Sequence, residues 1–147
     1  MKESDRRSYT MSRIRDRNTK PELKLRKGLF RLGFRYRLHV KSLPGKPDIV
    51  LPKYKTALFV HGCFWHLHTD CRDGRLPKTK LSYWKPKLEN NVSRDIRNEE
   101  LLTQYGWKVI VVWECDLNKH LHSTVLKVAA LIISKWIDSY LNQFILM

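Results

Sequence analysis

The sequence predicts an α/β fold in which a mixed sheet is flanked by helices, in the order αβββαβα. Two observations support this fold class. Short segments with the alternation or apolar run of a strand lie between longer segments with helical spacing. The chain has 147 residues, of which 42% are hydrophobic, and this is enough for one compact core. We predict a single domain over residues 18–147 and a flexible basic arm over residues 1–17.

The first helix is predicted from about Lys20 to Leu32. Thr19 and Glu22 form a capping box at its start, and Gly33 can adopt the left-handed conformation that ends it. Its apolar positions repeat at helical spacing: Leu25, Leu29 and Leu32.

Three strands are predicted next. Apolar residues alternate with basic ones in the first, which predicts a strand with one wet face over residues 34–40. After a loop rich in turn residues, Asp48–Leu51 and Thr56–Val60 are close enough in sequence to pair as a hairpin.

The second half of the chain predicts two helices around a strand. Leu88 begins the apolar spacing of a long helix that ends at Gly106, and Trp107–Trp113 contains an apolar run typical of a central strand buried on both faces. A C-terminal amphipathic helix is predicted with this buried face: Leu126, Ala130, Ile133, Ile137, Tyr140 and Phe144.

The charge of the chain points to a polyanionic partner. The 29 Lys and Arg residues against 14 Asp and Glu give a net charge of +15, too large a surplus for an ordinary metabolic enzyme. The longest apolar run, Val128–Ile133, is far too short to cross a bilayer, and the N-terminus lacks the apolar region of a secretory signal. An intracellular nucleic-acid-binding protein is therefore expected.

Cysteine and histidine cluster in the irregular stretch from His61 to Tyr83. Cys63, His68 and Cys71 lie within nine residues, and with Cys115 they form the Cys3His set of a saturated structural zinc site. Such a site would order a loop that has no core of its own. On spacing alone, His61 or His66 could replace His68, and the cysteines could instead be small buried hydrophobic residues.

A single acid, Asp48, stands where a metal-dependent nuclease needs carboxylates. Pro47-Asp48 at the start of a strand, in a basic αβββαβ arrangement, has the pattern of the PD-(D/E)xK nuclease core. Carboxylates in such enzymes hold a hard cation that polarises the phosphate. The acid and lysine expected on the next strand are replaced by Val60-His61. This absence leaves a DNA-binding protein without catalysis, stabilised by zinc, as an alternative.

Four motifs together resemble the very-short-patch-repair (Vsr) DNA mismatch endonucleases. They are LPGKPD at residues 43–48, FVHGCFWH at 59–66, YW at 83–84, and GW at 106–107 with VWEC at 112–115. The resemblance covers about residues 10–117. It implies a magnesium-dependent enzyme that nicks one strand of duplex DNA on the 5′ side of the T in a T:G mismatch, the product of 5-methylcytosine deamination. A PD-(D/E)xK endonuclease of another specificity, such as a restriction-type enzyme, is the nearest alternative.

The resemblance also implies roles for individual residues. Mg²⁺ would be bound by Asp48 and by the backbone carbonyl of Val60, with His66 handling the proton of the attacking or leaving group. His61 would be a second active-site histidine, and Glu22 an acid that helps hold the site together. The structural Zn²⁺ ligands would be Cys63, His68, Cys71 and Cys115, although one more residue separates His68 from Cys71 than in the family pattern.

The DNA contacts implied by the resemblance come from aromatic and basic residues. The expected set is Met11, Arg13, Arg15, Lys46, Phe64, Trp65 and Trp84, with the three aromatics wedging into the base stack and Met11 entering the minor groove. The expected partner is double-stranded DNA with a T:G mismatch, bound by a monomer without any membrane. A bacterial cytoplasmic location at the nucleoid and a functional link to a cytosine-5 DNA methyltransferase and a repair polymerase complete the expectation.

Overall fold

A computed structural model describes residues 17–145, and these form a four-stranded mixed sheet between layers of helices. The strands are β1 (Arg37–Leu38), β2 (Ile49–Leu51), β3 (Thr56–His61) and β4 (Lys108–Trp113), in that spatial order. The β1–β2 and β2–β3 pairs are antiparallel, whereas β3 and β4 are parallel. The helices are α1 (Lys20–Arg31), α2 (Leu81–Gln104), α3 (Glu114–Lys119) and α4 (Leu121–Ile145). The predicted α/β class and the β2–β3 hairpin are confirmed.

The sheet has an apolar layer on each face. On one face α1, α3 and α4 pack against β2, β3 and β4 around Leu29, Leu58 and Ile132, which are fully buried. On the other face Ala57, Phe59 and Leu102 form a smaller cluster beneath α2. Alternate residues of β3 therefore enter different layers, as the pleat of a strand requires.

The first helix begins and ends as its residues predict. The Thr19 hydroxyl accepts a hydrogen bond from the Glu22 amide at 3.4 Å, which satisfies one free N–H of the first turn. Gly33 adopts a positive φ of 95°, and the Phe34 amide donates to the Leu29 carbonyl at 3.1 Å. This is the glycine ending that helices commonly use.

Two strand predictions were wrong in extent or position. The first strand covers two residues instead of 34–40, because His39 takes a left-handed φ of 49° and turns the chain away from the sheet. The strand at 108–113 lies at the edge of the described sheet, next to β3 only, so it is not central. From Val109 onward its side chains alternate between half-buried and buried, because successive side chains of a strand point to opposite faces of the sheet.

The prediction of which face of the last helix is buried was also wrong. The residues that α4 packs into the core are Val125, Val128, Ala129 and Ile132. The predicted stripe through Ile133, Ile137 and Tyr140 lies about a quarter turn away and is exposed. Both sets fit helical spacing, and only the position of the sheet selects between them.

Some predictions fall outside the described residues. The arm over residues 1–17 lies there except for its last residue, and so do the predicted DNA contacts Met11, Arg13 and Arg15. Among the described residues, no helix is long and apolar enough to cross a membrane.

Candidate active site

The register of the β2–β3 hairpin brings Asp48 next to Val60. Ile49 pairs with Leu58, and the Asp48 amide donates to the Leu58 carbonyl at 3.0 Å. The Asp48 carboxylate then accepts a hydrogen bond from the Val60 amide, with Oδ2 and N separated by 2.7 Å. The carboxylate is thus fixed to the backbone of β3 near its carboxyl end. The PD-(D/E)xK pattern places a second acid in this region, where this chain has Val60.

Two more residues crowd the Asp48 carboxylate. Glu22 from α1 and His39 each place a potential ligand atom within 4.8 Å of one another and of an Asp48 oxygen. Glu22 is only 1% exposed. Burial raises the pKa of Asp48 to about 6, the Val60 hydrogen bond opposes this, and the Glu22 charge raises it further. Two carboxylates so close together, with Glu22 almost fully buried, favour a bound cation.

His61 and His66 form a stacked pair beside this carboxylate. Their ring centroids lie 3.8 Å apart at an angle of 3°. His66 Nδ1 is 2.5 Å from Oδ2 of Asp95, which α2 contributes. Burial, with the neighbouring His66, lowers the pKa of His61 to about 4, so His61 is neutral at pH 7. His66 is therefore oriented by a carboxylate on one nitrogen and keeps the other for a reacting group.

An open cavity of about 510 Å³ joins these groups. Asp48, Val60, His61, His66 and Asp95 line it together with Phe59 of β3 and with residues from the turn before β2 and from α2: Gly45, Lys46, Arg94, Asn98 and Glu99. Lys46, predicted as a DNA contact, thus lies at the cavity. Basic side chains and carboxylates line the same opening, which a phosphodiester could enter.

The turn before β2 fits the cavity wall because of one glycine. The Lys46 amide donates to the Leu43 carbonyl at 3.1 Å, and Gly45 has a φ of 74°. A proline followed by a glycine with positive φ is the pattern of a type II turn. A Cβ on Gly45 would also meet Asn98 of α2 at 3.0 Å. The glycine therefore lets the turn pass close to α2 at the cavity.

The donor chemistry fits a hard divalent cation. Carboxylate oxygens from Asp48 and Glu22 and a backbone carbonyl at Val60 are the oxygen ligands that Mg²⁺ prefers. The contact between the Val60 amide and Oδ2 of Asp48 leaves Oδ1 of that carboxylate available. These residues could therefore hold such an ion at the cavity floor.

The predicted zinc ligands come together on the other side of the same loop. The Sγ atoms of Cys63 and Cys115 lie 3.6 Å and 3.5 Å from Nδ1 of His68. Tetrahedral zinc, with bonds of about 2.3 Å to sulfur and 2.0 Å to nitrogen, separates its ligands by about 3.5 Å. Cys71 completes a set in which all four ligand atoms lie within 4.8 Å. The extra residue before Cys71 does not keep it from the cluster, and neither His61 nor His66 belongs to it.

Residues at the end of β4 link the two groups. The Trp113 ring stacks on His68 at 4.0 Å and meets the edge of His61 at 5.3 Å. The Glu114 carboxylate accepts a hydrogen bond from the Cys63 amide at 3.0 Å. The Trp-Glu-Cys sequence after β4 therefore holds the start of the loop from three directions.

The three predicted wedge aromatics form one exposed cluster. Phe64, Trp65 and Trp84 pack with centroid separations of 5.1 to 5.9 Å, and each is half-buried. None belongs to either core layer. Lys87 Nζ lies 5.9 Å from the Trp65 ring and 5.7 Å from the Trp84 ring. Aromatic faces with a nearby ammonium are suited to stacking on bases next to phosphates.

Sequence reasoning missed Asp95, His39 and Glu114 as site residues. Asp95 lies in a helix rich in charge, so nothing in its own pattern separates it from a solvated surface. His39 was assigned to the wet face of a strand. Glu114 had a signal, since it stands next to Cys115 in a motif already singled out.

Comparisons with known proteins give a consistent result. The family model described as DNA mismatch endonuclease Vsr matches residues 1–73. The chain is 54% identical to the type II nicking enzyme V.XorIIP of Xanthomonas oryzae, over 78% of this chain and 83% of the relative. It is 52% identical to V.NmeAIP of Neisseria meningitidis, over 78% and 81%. It is 41% identical to the DNA mismatch endonuclease Vsr of Escherichia coli, over 76% and 70%.

The raised pKa of Asp48 predicts how stability depends on pH without added magnesium. Between the ordinary value of 3.8 and about 6 the folded chain binds more protons than the unfolded chain, so this group lowers stability as pH rises through that window. Asp48→Asn should therefore be more stable than wild type at pH 7.5, by up to roughly 3 kcal/mol. The difference should vanish at pH 3.5. Denaturant unfolding of both proteins measures it, and an equal difference at both pH values would contradict the prediction.

Proposed function

We propose that this chain, which belongs to the Vsr family of DNA mismatch endonucleases, nicks one strand of duplex DNA on the 5′ side of the T in a T:G mismatch. Relatives named as nicking enzymes and as a mismatch endonuclease support strand-specific cleavage. The observation that carries the proposal is the Asp48 carboxylate fixed to the Val60 amide beside a histidine pair in one open cavity. This arrangement can bind a cation and move a proton at the same phosphate.

Asp48 and the Val60 carbonyl would hold Mg²⁺, with Glu22 close behind. When bound, the ion supplies charge that polarises the scissile phosphate and lowers the pKa of a coordinated water. The chain supplies the rest. The hydrogen bond from Val60 fixes the direction of the Asp48 carboxylate, and the buried Glu22 adds negative charge that favours a cation over an empty site.

His66 is the residue placed to move a proton. Asp95 occupies its Nδ1, so Nε2 faces the reacting group, and a carboxylate behind the ring stabilises the imidazolium once a proton arrives. The stacked His61 stays neutral and adds no positive charge to oppose that step. Lys46 and Arg94 at the cavity would pair with phosphate oxygens.

Deformability of the mismatch is the property that the aromatic cluster would read. A wobble pair differs little from a matched pair in shape, but separating its stack costs less. Phe64, Trp65 and Trp84 stand outside the core, and Phe64 and Trp65 lie between His61 and His66 in sequence. Inserting them next to the mismatch would bring the scissile phosphate to His66. The basic residues after the loop, from Arg72 to Lys87, would bind flanking phosphates.

The cellular setting follows from the reaction. T:G mismatches arise where a cytosine-5 methyltransferase has acted, and a nick 5′ to the T gives a repair polymerase a starting point. We therefore propose that the enzyme acts as a monomer on cytoplasmic, nucleoid DNA in functional connection with both kinds of enzyme.

The proposal is tested by nicking of matched substrates. We expect Mg²⁺-dependent nicking of a T:G duplex at least tenfold faster than of the same duplex with C:G or with other mismatches. Asp48→Ala should abolish nicking, because it removes the carboxylate that the Val60 amide holds at the proposed cation site, while DNA affinity without metal should change little. Single-turnover gels and fluorescence anisotropy measure the two. Equal cleavage of the matched duplex would indicate another specificity, and binding without any nicking would leave a non-catalytic DNA-binding protein.

Trp65→Ala should separate recognition from stability. Its ring is outside both core layers, so we expect the preference for T:G over matched DNA to fall by about tenfold, with a small change in melting temperature. Trp107→Ala is the matched control, since Trp107 packs against the core layer under α2. It should lower the melting temperature and keep the preference. The reverse pattern in the two variants would contradict the proposed role.

The Cys3His cluster predicts one tightly bound zinc per chain. The loop has no core of its own, so metal binding is what would order it. Cys115→Ser should reduce the zinc content measured by elemental analysis and lower the melting temperature strongly. Cobalt substitution should give thiolate charge-transfer absorption in wild type and a weaker band in the variant. A zinc-free wild type with an unchanged melting curve in chelator would disprove the structural role.

A further inference from the structure

We propose that His39 is a positioning residue of the cation site, and that its ring, with Nε2 at 3.0 Å from Oε1 of Glu22, keeps the Glu22 carboxylate beside Asp48. The inference rests on the proposed function, because it concerns the same cation. His39 has no place in either core layer and does not line the cavity. Its side chain and its backbone instead contact the two acids separately.

Glu22 is almost completely shielded from solvent. Its carboxylate is buried, and a buried charge needs hydrogen-bonding partners to remain ionised at acceptable cost. Oε1 has two cationic or polar neighbours. Arg26 Nη1 lies at 3.5 Å, one turn along the same helix, and His39 Nε2 lies at 3.0 Å. The imidazole is therefore the closer contact and the one that comes from another part of the chain.

The neighbours of the His39 ring show that Nε2 carries a hydrogen. Nε2 is also 3.3 Å from Oδ1 of Asn18. That atom accepts a hydrogen bond from Arg26 Nη1 at 2.9 Å, and since a guanidinium can only donate, it is an oxygen. Both neighbours of Nε2 are therefore acceptors. Nε2 must carry a hydrogen, which it donates to Asn18 Oδ1, and Oε1 of Glu22 lies 3.0 Å from the same nitrogen.

The backbone of His39 has an unusual conformation. Its φ of 49° is in the left-handed region, which costs a residue with a Cβ about 1 kcal/mol or more. The conformation ends β1 and turns the imidazole toward α1. In the same conformation the His39 amide donates to the Asp48 carbonyl at 3.1 Å. One residue thus contacts both acids, through a backbone hydrogen bond to Asp48 and through the approach of its ring to Glu22.

These contacts fix the separation of two carboxylates that belong to different elements. Glu22 comes from α1 and Asp48 directly precedes β2, and one cation would contact both carboxylates. Removing an outer partner of a metal ligand typically weakens metal binding by about 10- to 100-fold. A donor of the right reach should therefore matter at residue 39 even though the residue touches neither DNA nor the reacting phosphate.

His39→Asn and His39→Gln form a matched pair that differs by one methylene. Asparagine is favoured at positive φ, so it keeps the backbone, but its amide is too short to take the place of Nε2. Glutamine reaches that place and restores the donor. We expect His39→Asn to weaken binding of Mn²⁺ by at least tenfold and His39→Gln to remain within about threefold of wild type. The same order should appear in the Mg²⁺ concentration that gives half-maximal nicking, while kcat at saturating Mg²⁺ changes little.

Mn²⁺ affinity is measured by electron paramagnetic resonance on each protein in complex with a T:G duplex whose scissile linkage cannot be hydrolysed. Melting temperatures of the same proteins detect a purely structural effect, which would affect folding and leave Mn²⁺ affinity unchanged. Equal Mn²⁺ affinity of His39→Asn and wild type, or equal weakening by both variants, would overturn the inference. If Asp48→Asn binds Mn²⁺ as tightly as wild type, the ion is elsewhere, and the proposed function fails together with the inference.

Discussion

The register of β3 with its two neighbours is the constraint on which both sites depend. Antiparallel pairing with β2 sets Ile49 against Leu58 and so brings Asp48 beside Val60. Parallel pairing with β4 sets His61 against Trp113. A slip of one residue on either side would move these side chains to the other face of the sheet. The candidate cation site and the Cys and His cluster therefore both depend on the pairing of β3 with its neighbours.

The loop after β3 shows how a small chain can order residues without a core. Cys63 is fully buried, but no residue of the loop belongs to either apolar layer. Its order comes from the four-residue Cys and His cluster, from the Glu114 bond to the Cys63 amide and from the Trp113 ring. Because the cluster orders the loop, its aromatic residues pack on one another at the surface and do not contribute to either apolar layer. The same arrangement fixes His66 next to its carboxylate.

The charge distribution separates recognition from chemistry. The chain carries a net charge of +15, yet its acids Glu22, Asp48 and Asp95 converge near one cavity. Basic surface attracts DNA at long range, and a local concentration of carboxylates attracts a hard cation at short range. The two would meet only when a phosphate lies in the cavity. Burial of the Asp48 carboxylate disfavours its charged form when no ion is bound, and this raises the pKa of Asp48.

The sequence by itself determined the fold class, the hairpin, the first helix with both of its ends, and the cysteines of the Cys and His cluster. These follow from local signals, such as capping, turn residues and ligand spacing, that act over a few positions. The tertiary structure decided which face of α4 is buried, that β4 lies at an edge, and that His39 and Asp95 belong to the site. An apolar stripe does not say which surface it will meet, and a charged residue on a helix does not say which histidine will face it. Those choices depend on contacts between distant parts of the chain, which no local pattern encodes.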